Sequence, residues 1–426
     1  MREGRRRPAH LCLHPGALRK EQSHHVCRRG SRIMTNPSST SAPMTITPDV
    51  LESWAIATDG PVALSLTQEL LPVELDGDHK VIYPPTYADI GYNIDTLCDG
   101  TKVALVDSVG AQANRMEPMF QTDSPDRKDW LVPQIRIRLP KQCCGVCDSC
   151  REKGKVKDCE HPVQTERSLL DLAHRAADAV VHATPTLAGT MASAFASLRR
   201  QGDAGSLCAI APTSLVFGVW DSRGVSGEKR PRLVRSIIRA WDVEPLTTSA
   251  QFNSVWKELD DTLRDELTKE AKKQKKKLSD VGLNDAPATN TPGGVRVRGS
   301  IRREVTVNLV ALRGLRGSSE EKTKEIRRYL LSLALLAATK EIPLYLREGC
   351  HLRYGNEDAW FAIPRRGAAQ PIDLTTTAAE DVLRNFANES ARPFRKQWQE
   401  PFLHDFDVKA AKKLLAKKVK NDGEEN

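Results

Sequence analysis

In the run EVTVNL, residues 304–309, Val305, Val307 and Leu309 alternate with Glu304, Thr306 and Asn308. One apolar and one polar row at a period of two mark a strand buried on one face only. Parallel sheets wrapped by helices on both sides need strands apolar on both faces, so this run belongs in an antiparallel sheet. QIRIRLP (134–140) repeats the pattern, with Ile135, Ile137 and Leu139 set against Arg136 and Arg138. Further strands are expected in GPVALSLTQELLPV (60–73), KVALVD (102–107), TSLVFGVWDSRG (213–224), PRLVRSIIRAWDV (231–243), IPLYLREGCHLRY (342–354) and WFAIP (360–364).

Helical spacing fills the intervals. PDVLESWAIA (48–57) and VGAQANRMEPMF (109–120) read as helices. TERSLLDLAHRAADAVVHAT (165–184) carries a stripe at Leu169, Leu172, Ala176 and Val180. LAGTMASAFASLRRQGD (187–203) is a helix with Gly202 as its stop. Residues 252–277 read as one long amphipathic helix running into a flexible loop, LSDVGLNDAPATNTPGG (278–294). Ser318 and Glu321 predict a capping box opening EEKTKEIRRYLLSLALLAATKE (320–341). Strands and helices interleave unevenly, with hairpin-like strand pairs. The pattern predicts an α+β fold with an antiparallel sheet core, helical insertions and a small Cys-rich insertion.

The chain has 426 residues and a formal charge of +9. Residues 1–33 hold nine basic residues against Glu3 and Glu21, a net +7, so residues 34–426 carry only +2. A nucleic-acid surface on this near-neutral body must come from local patches. Residues 1–48 read as a disordered basic and Ser/Pro-rich extension, its first part expected to come from an upstream start codon, with Met34 or Met44 opening the protein proper. Residues 49–405 form the main domain, with insertions at 141–163 and 252–293, and 406–426 is a Lys-rich tail. The most apolar run, LLSLALLAA (330–338), is too short to span a membrane and predicts a buried helix. No export signal is visible, so the cytoplasm is the expected compartment.

KQCCGVCDSCREKGKVKDCEHP (141–162) packs Cys143, Cys144, Cys147, Cys150, Cys159 and His161 into one polar loop. In a reducing compartment such density points to metal rather than disulfides. A Cys-x2-Cys pair supplies two ligands from one turn. Cys144, Cys147, Cys150 and Cys159 are the predicted structural zinc ligands, with Cys143 and His161 as alternates. A reduced loop without metal and an Fe–S cluster are the competing readings.

Three stretches concentrate positive charge: Arg223, Lys229, Arg230, Arg232 and Arg235; Arg296, Arg298, Arg302 and Arg303; Arg313 and Arg316. Cations beside glycines can track a phosphate backbone; the plainer reading is solvated hairpins. No P-loop, G-x-S-x-G or H-E-x-x-H occurs. Asp260 and Asp261 read as a solvated helix face, and His174 as a packed or half-exposed side chain.

VDSVGAQANRMEP (106–118) is the most distinctive segment. Together with YPPTYA (83–88), SLLDLAHRAADAVV (168–181), APTSLVFGVWDSRG (211–224) and RPRLVRSIIRAWDV (230–243), it resembles the CRISPR-associated RAMP-superfamily backbone subunit of type I-G (formerly I-U) Cascade effectors. The resemblance runs in order across about residues 50–350. It implies a modified RRM-like, ferredoxin-like core. It implies copies polymerising along a CRISPR RNA (crRNA) that presents its spacer to target DNA. It implies further Cascade partners: a large subunit, a crRNA-end-capping and processing subunit, and a recruited helicase–nuclease. It implies no catalysis by the chain itself. By matching segments it assigns RNA contact to Gln112, Asn114, Arg115, Arg223, Lys229, Arg230 and Arg232; the basic run adds Arg296 and Arg298. The other role for Asn114 and Arg115 is pinning a helix end to a strand. The basic extension and the cysteine loop depart from the family pattern. The competing functions are a metal-dependent nuclease or other zinc enzyme using the cysteines, and a zinc-ribbon regulator of transcription.

Overall fold

The computed structural model describes residues 42–74, 79–147, 159–221, 227, 229–252, 255–284 and 286–421. These fall in one compact unit, Pro37–Asn426.

Nine strands make the main sheet: β1 (Met44–Thr45), β2 (Ala63–Pro72), β3 (Ile94–Thr96), β4 (Lys102–Asp107), β5 (Val234–Trp241), β6 (Ile301–Asn308), β7 (Tyr345–Arg347), β8 (Cys350–Ile363) and β9 (Gln370–Asp373). Their order is β1-β9-β8-β2-β6-β5-β4-β3, with β7 paired to β8. Every pairing is antiparallel except β1 with β9. On β6, Ile301, Arg303, Val305 and Val307 are buried while Arg302 and Asn308 are exposed, the alternation read from the sequence. On β2 the buried row is Leu64, Leu66, Gln68, Leu70 and Pro72. One face therefore packs on the core, and the other carries Arg235, Arg302 and Glu304.

The helices that pack here are α1 (Pro48–Ile56), α2 (Val109–Met116), α3 (Pro185–Gln201), α4 (Glu320–Thr339) and α5 (Thr377–Arg395). α4 is the centre of the core, with Leu330, Leu331, Leu333 and Leu335 fully buried. Each such leucine contributes roughly 1.5–3 kcal/mol. Tyr329 stacks on Phe394 of α5 at 4.5 Å, and its hydroxyl donates to Leu131 O. α3 ends at Gly202, whose φ of 70° is left-handed and favours glycine.

The structure departs from the sequence reading in several places. Met44 and Thr45, assigned to the disordered extension, pair with Ile372 and Asp373. The helix expected over 165–184 is a short strand (Glu166–Ser168), two 3-10 turns (Leu169–Asp171 and Arg175–Ala177) and a one-turn helix (Ala179–His182). Arg175 lies at φ 52°, which no continuous helix admits. His174 is exposed while Arg175 is buried. The strand expected at 213–224 begins as a buried helix, Pro212–Val216; a short apolar run does not distinguish the two. The long helix over 252–277 is only Asp261–Lys273, because Asp260 caps it by accepting from Leu263 N.

The flexible loop 278–294 is mostly strand. Ala286–Val297 pairs with Val243–Phe252 in a bulged ribbon, and its root pairs with Lys80–Ile82. Prolines and glycines there mark bulges rather than a linker; a Cβ on Gly293 would lie 2.5 Å from Thr247 C. The α4 cap is Ser319, one residue beyond the predicted Ser318. Arg136–Arg138 joins a separate small sheet with Glu166–Ser168 and Leu403–Asp405, so the cysteine loop connects two strands rather than a strand and a helix. The Lys-rich tail forms a helix, Val408–Asn421.

Candidate functional site

The QANR motif builds a buried polar node. Arg303, fully buried on β6, donates from Nε to Gln112 Oε1 at 3.2 Å and from Nη1 to Gln68 Oε1 at 2.5 Å. Gln112 Nε2 donates to Asp107 Oδ2 at 2.6 Å, and Ser236 Oγ donates to Gln112 Oε1 at 2.8 Å. Gln68 Nε2 donates to Asp358 Oδ2 at 2.8 Å. The node thus ties α2 to five strands. Burial pushes the Asp107 carboxyl above its usual range, against the pull of Gln112 and Arg115. Gln112 has no exposed surface, and Arg303, counted among the surface cations, lies in the core. Arg115 donates to Asp107 Oδ2 and to Leu346 O, both at 3.1 Å, pinning the end of α2 to β4 and β7.

A second buried contact joins VDSVGAQANRMEP to SLLDLAHRAADAVV and APTSLVFGVWDSRG. Arg175 pairs with Glu117 at 2.5 Å, both almost fully buried, and donates to Asn114 Oδ1 at 3.2 Å and Gly218 O at 3.4 Å. Burial raises Glu117 to about 7, although Arg175 and Thr213 pull it down. The same burial lowers the pKa of Arg175.

The basic turn stands on that contact. Val219–Trp220 pairs antiparallel with Lys229–Arg230. Lys229, Arg232 and Arg235 are exposed and Arg230 is half-buried; Arg223 lies outside the described residues. Lys229 Nζ sits 5.8 Å from the ring centroid of Trp220. Arg296 lies on the ribbon and Arg298 just beyond its end, both facing Glu244, with Arg298 Nη2 donating to Glu244 Oε2 at 2.8 Å. That hydrogen bond depresses the Glu244 pKa. One carboxylate offsets part of the charge of two guanidiniums, so this patch is weaker than its composition suggests. Arg313 spends its donors on Ala57 O and Pro61 O.

The cysteine loop is closed at its base by a two-way backbone bridge between Gln142 and Val163. Gly145, at φ 75°, turns the chain so that the Cys147 N–H donates to Cys144 Sγ at 3.4 Å. Cys144 N–H donates to Cys159 Sγ, also at 3.4 Å. The thiols of Cys144, Cys147 and Cys159 lie within 4.8 Å of one another. Backbone N–H donors from Cys147 and Val146 lower Cys144 to about 6, favouring the thiolate a metal binds. Three converging sulfurs can hold a metal ion. Cys143 and His161 are outside this group, and Cys150 lies outside the described residues. A cavity of about 660 Å³ lined by Leu187, Trp398, Phe402 and His404 contains none of the predicted site residues.

Fold and site together define a mixed α+β protein: one large, mainly antiparallel sheet, with a thiol cluster and a basic hairpin carried on separate small strand pairings. Residues 64–245 match the model of a CRISPR-associated family, described as CRISPR-associated protein GSU0053. The CRISPR-associated resemblance is borne out over that span, which contains the QANR motif, the cysteine loop and the basic hairpin. No curated protein matches the chain. Among solved structures, a chain titled "CRISPR RNA-guided surveillance complex, pre-nicking" is similar at 13% identity and a TM-score of 0.32, with 83% of this chain and 99% of that chain covered. Among the described residues, no helix is long and apolar enough to cross a membrane.

Proposed function

We propose that this chain is a non-enzymatic backbone subunit of a Cascade-type CRISPR interference complex. It binds crRNA, adjoins further copies of itself along that RNA, and presents the spacer to a target DNA strand in the cytoplasm. The observation that carries this reading is the family match over residues 64–245. The order β8-β2-β6-β5, with α4 between β6 and β8, supports an RRM-like, ferredoxin-like centre, to which β1, β3, β4, β7 and β9 are added. Lys229, Arg230 and Arg232 are the leading RNA contacts, with Arg296, Arg298, Asn114 and the half-exposed Arg115 as secondary ones. Gln112 acts from the core, by holding α2. The type I-G assignment and the large, end-capping and helicase–nuclease partners follow from the same resemblance.

Zinc is the metal proposed for Cys144, Cys147 and Cys159, with Cys150 as the fourth ligand; Cys143 or His161 is the alternate. Thiolates at this spacing suit a closed, structural zinc site. The test is purification with co-expressed crRNA followed by sequencing of the bound nucleic acid. Enrichment of crRNA is expected. Random cellular RNA, or zinc-dependent cleavage by the isolated protein, would overturn the reading in favour of a nucleic-acid-cleaving zinc enzyme.

A further inference from the structure

Of the seven tryptophans in the chain, only Trp220 is exposed, with 61% of its surface open. Its neighbours are not. Val219 and Asp221 are buried, and Asp221 is held by His182 Nε2 at 2.9 Å. On the other side, Gly218 O accepts from the buried Arg175. Gly218 itself lies at φ 79°, and a Cβ there would meet Arg232 Cγ at 2.7 Å, so the chain crosses its partner strand closely. The indole is thus held out to solvent by residues anchored before and after it. A single exposed apolar side chain is ordinary. An anchored, exposed indole with Lys229 paired opposite it, 5.8 Å from its ring, and Arg232 exposed beside the adjoining Gly218 is less so, because an aromatic face beside cations is the arrangement that binds single-stranded nucleic acid.

We propose that Trp220 is a stacking platform for a base of single-stranded RNA, with Lys229 and Arg232 taking the adjoining phosphates. This rests on the RNA-binding reading above and adds to it an aromatic contact. Stacking is indifferent to base identity, since every base offers a π-face. It therefore suits a surface that must accept any guide sequence. Lys229, now above the indole, is placed to exchange that contact for a phosphate beside a stacked base. A duplex hides its base faces, so the platform discriminates single strands from double strands.

The experiment measures binding of the full chain to a single-stranded RNA oligonucleotide and to its duplex over a range of salt concentrations. Trp220→Ala is expected to weaken single-strand binding roughly tenfold, with Trp220→Phe retaining most of it. Its salt dependence should stay as in wild type, whereas Lys229→Gln and Arg232→Gln should each flatten the slope by about 0.7. Melting temperatures identify any variant that fails through misfolding, and Trp220→Phe then carries the comparison. If Trp220→Ala binds as wild type while the cation variants weaken, stacking is refuted and the RNA-binding reading stands. If the wild-type chain retains neither the oligonucleotide nor crRNA, both fall. If Trp220→Ala leaves RNA affinity intact but abolishes self-association in sedimentation, the indole is a protein contact and the proposal is overturned.

Discussion

A guanidinium among apolar strands is tolerable only where its N–H groups find acceptors. Arg303 meets that condition through Gln112 and Gln68. Gln112→Ala removes an acceptor from a buried charge and a donor from Asp107, so a loss of about 2–4 kcal/mol is expected, read by denaturant unfolding. An unchanged midpoint alongside weaker RNA binding would return Gln112 to the RNA surface. Glu117 gives a pH prediction. Its carboxyl is raised from an ordinary 4.5 to about 7, so between those values the folded chain keeps a proton that the unfolded chain loses. Stability from this group is greatest below 4.5, falls as pH rises to about 7, and is level beyond. At ~1.4 kcal/mol per pH unit, the change across the window is about 3 kcal/mol. Glu117→Gln should erase that slope in unfolding measured from pH 4.5 to 7.5; an identical slope in both proteins would refute it. Arg303 was legible in part: it shares the β6 row of Val305 and Val307, and charge alone suggested the surface. The Arg175–Glu117 pair was not legible, because their 58-residue separation leaves no local pattern.

Elements with a clean period were readable before any coordinates. β6, α3 with its Gly202 stop, and the apolar α4 stand where expected. The failures share a cause. Residues 165–184 have helical spacing, but the demand to bury Arg175 against Glu117 overrides it. Residues 286–297 have linker composition, but pairing with 243–252 overrides that too. Tertiary partners chose the state in both cases, and a single sequence does not name them. Two element-scale predictions follow from the loops. Gly218→Ala places a methyl group against Arg232 and forces an alanine to φ 79°, so a loss of about 1–3 kcal/mol is expected together with weaker RNA retention. Full stability in that variant would mean that the hairpin base has room. In the cysteine loop, Cys144→Ser and Cys147→Ser should each abolish stoichiometric zinc by elemental analysis. Chelation should loosen the 141–163 loop in hydrogen exchange while α4 and the sheet stay protected, because the Gln142–Val163 bridge separates the loop from the core. Retained zinc in both variants would exclude these ligands.

At the scale of the whole molecule, the proposed RNA binding could draw on either of two distributions of charge. Residues 1–33 hold +7 of the chain's +9, yet the family match begins at residue 64 and the compact unit at Pro37. A dense basic segment attracts any polyanion, and that attraction is steeply salt-dependent. The body, at +2, has no such general field, so the proposed RNA contacts would have to be local, at the Lys229–Arg232 hairpin and the sheet face bearing Arg235 and Arg302. A chain beginning at Met34 should therefore melt as the full chain does, because β1 and everything after it is kept. It should lose most affinity for duplex DNA at low salt, and its salt slope should be shallower. It should still retain co-expressed crRNA at physiological salt, since the hairpin and its anchors are untouched. If the shortened chain releases crRNA while the full chain holds it, RNA binding belongs to the basic segment and the hairpin is only a solvated turn.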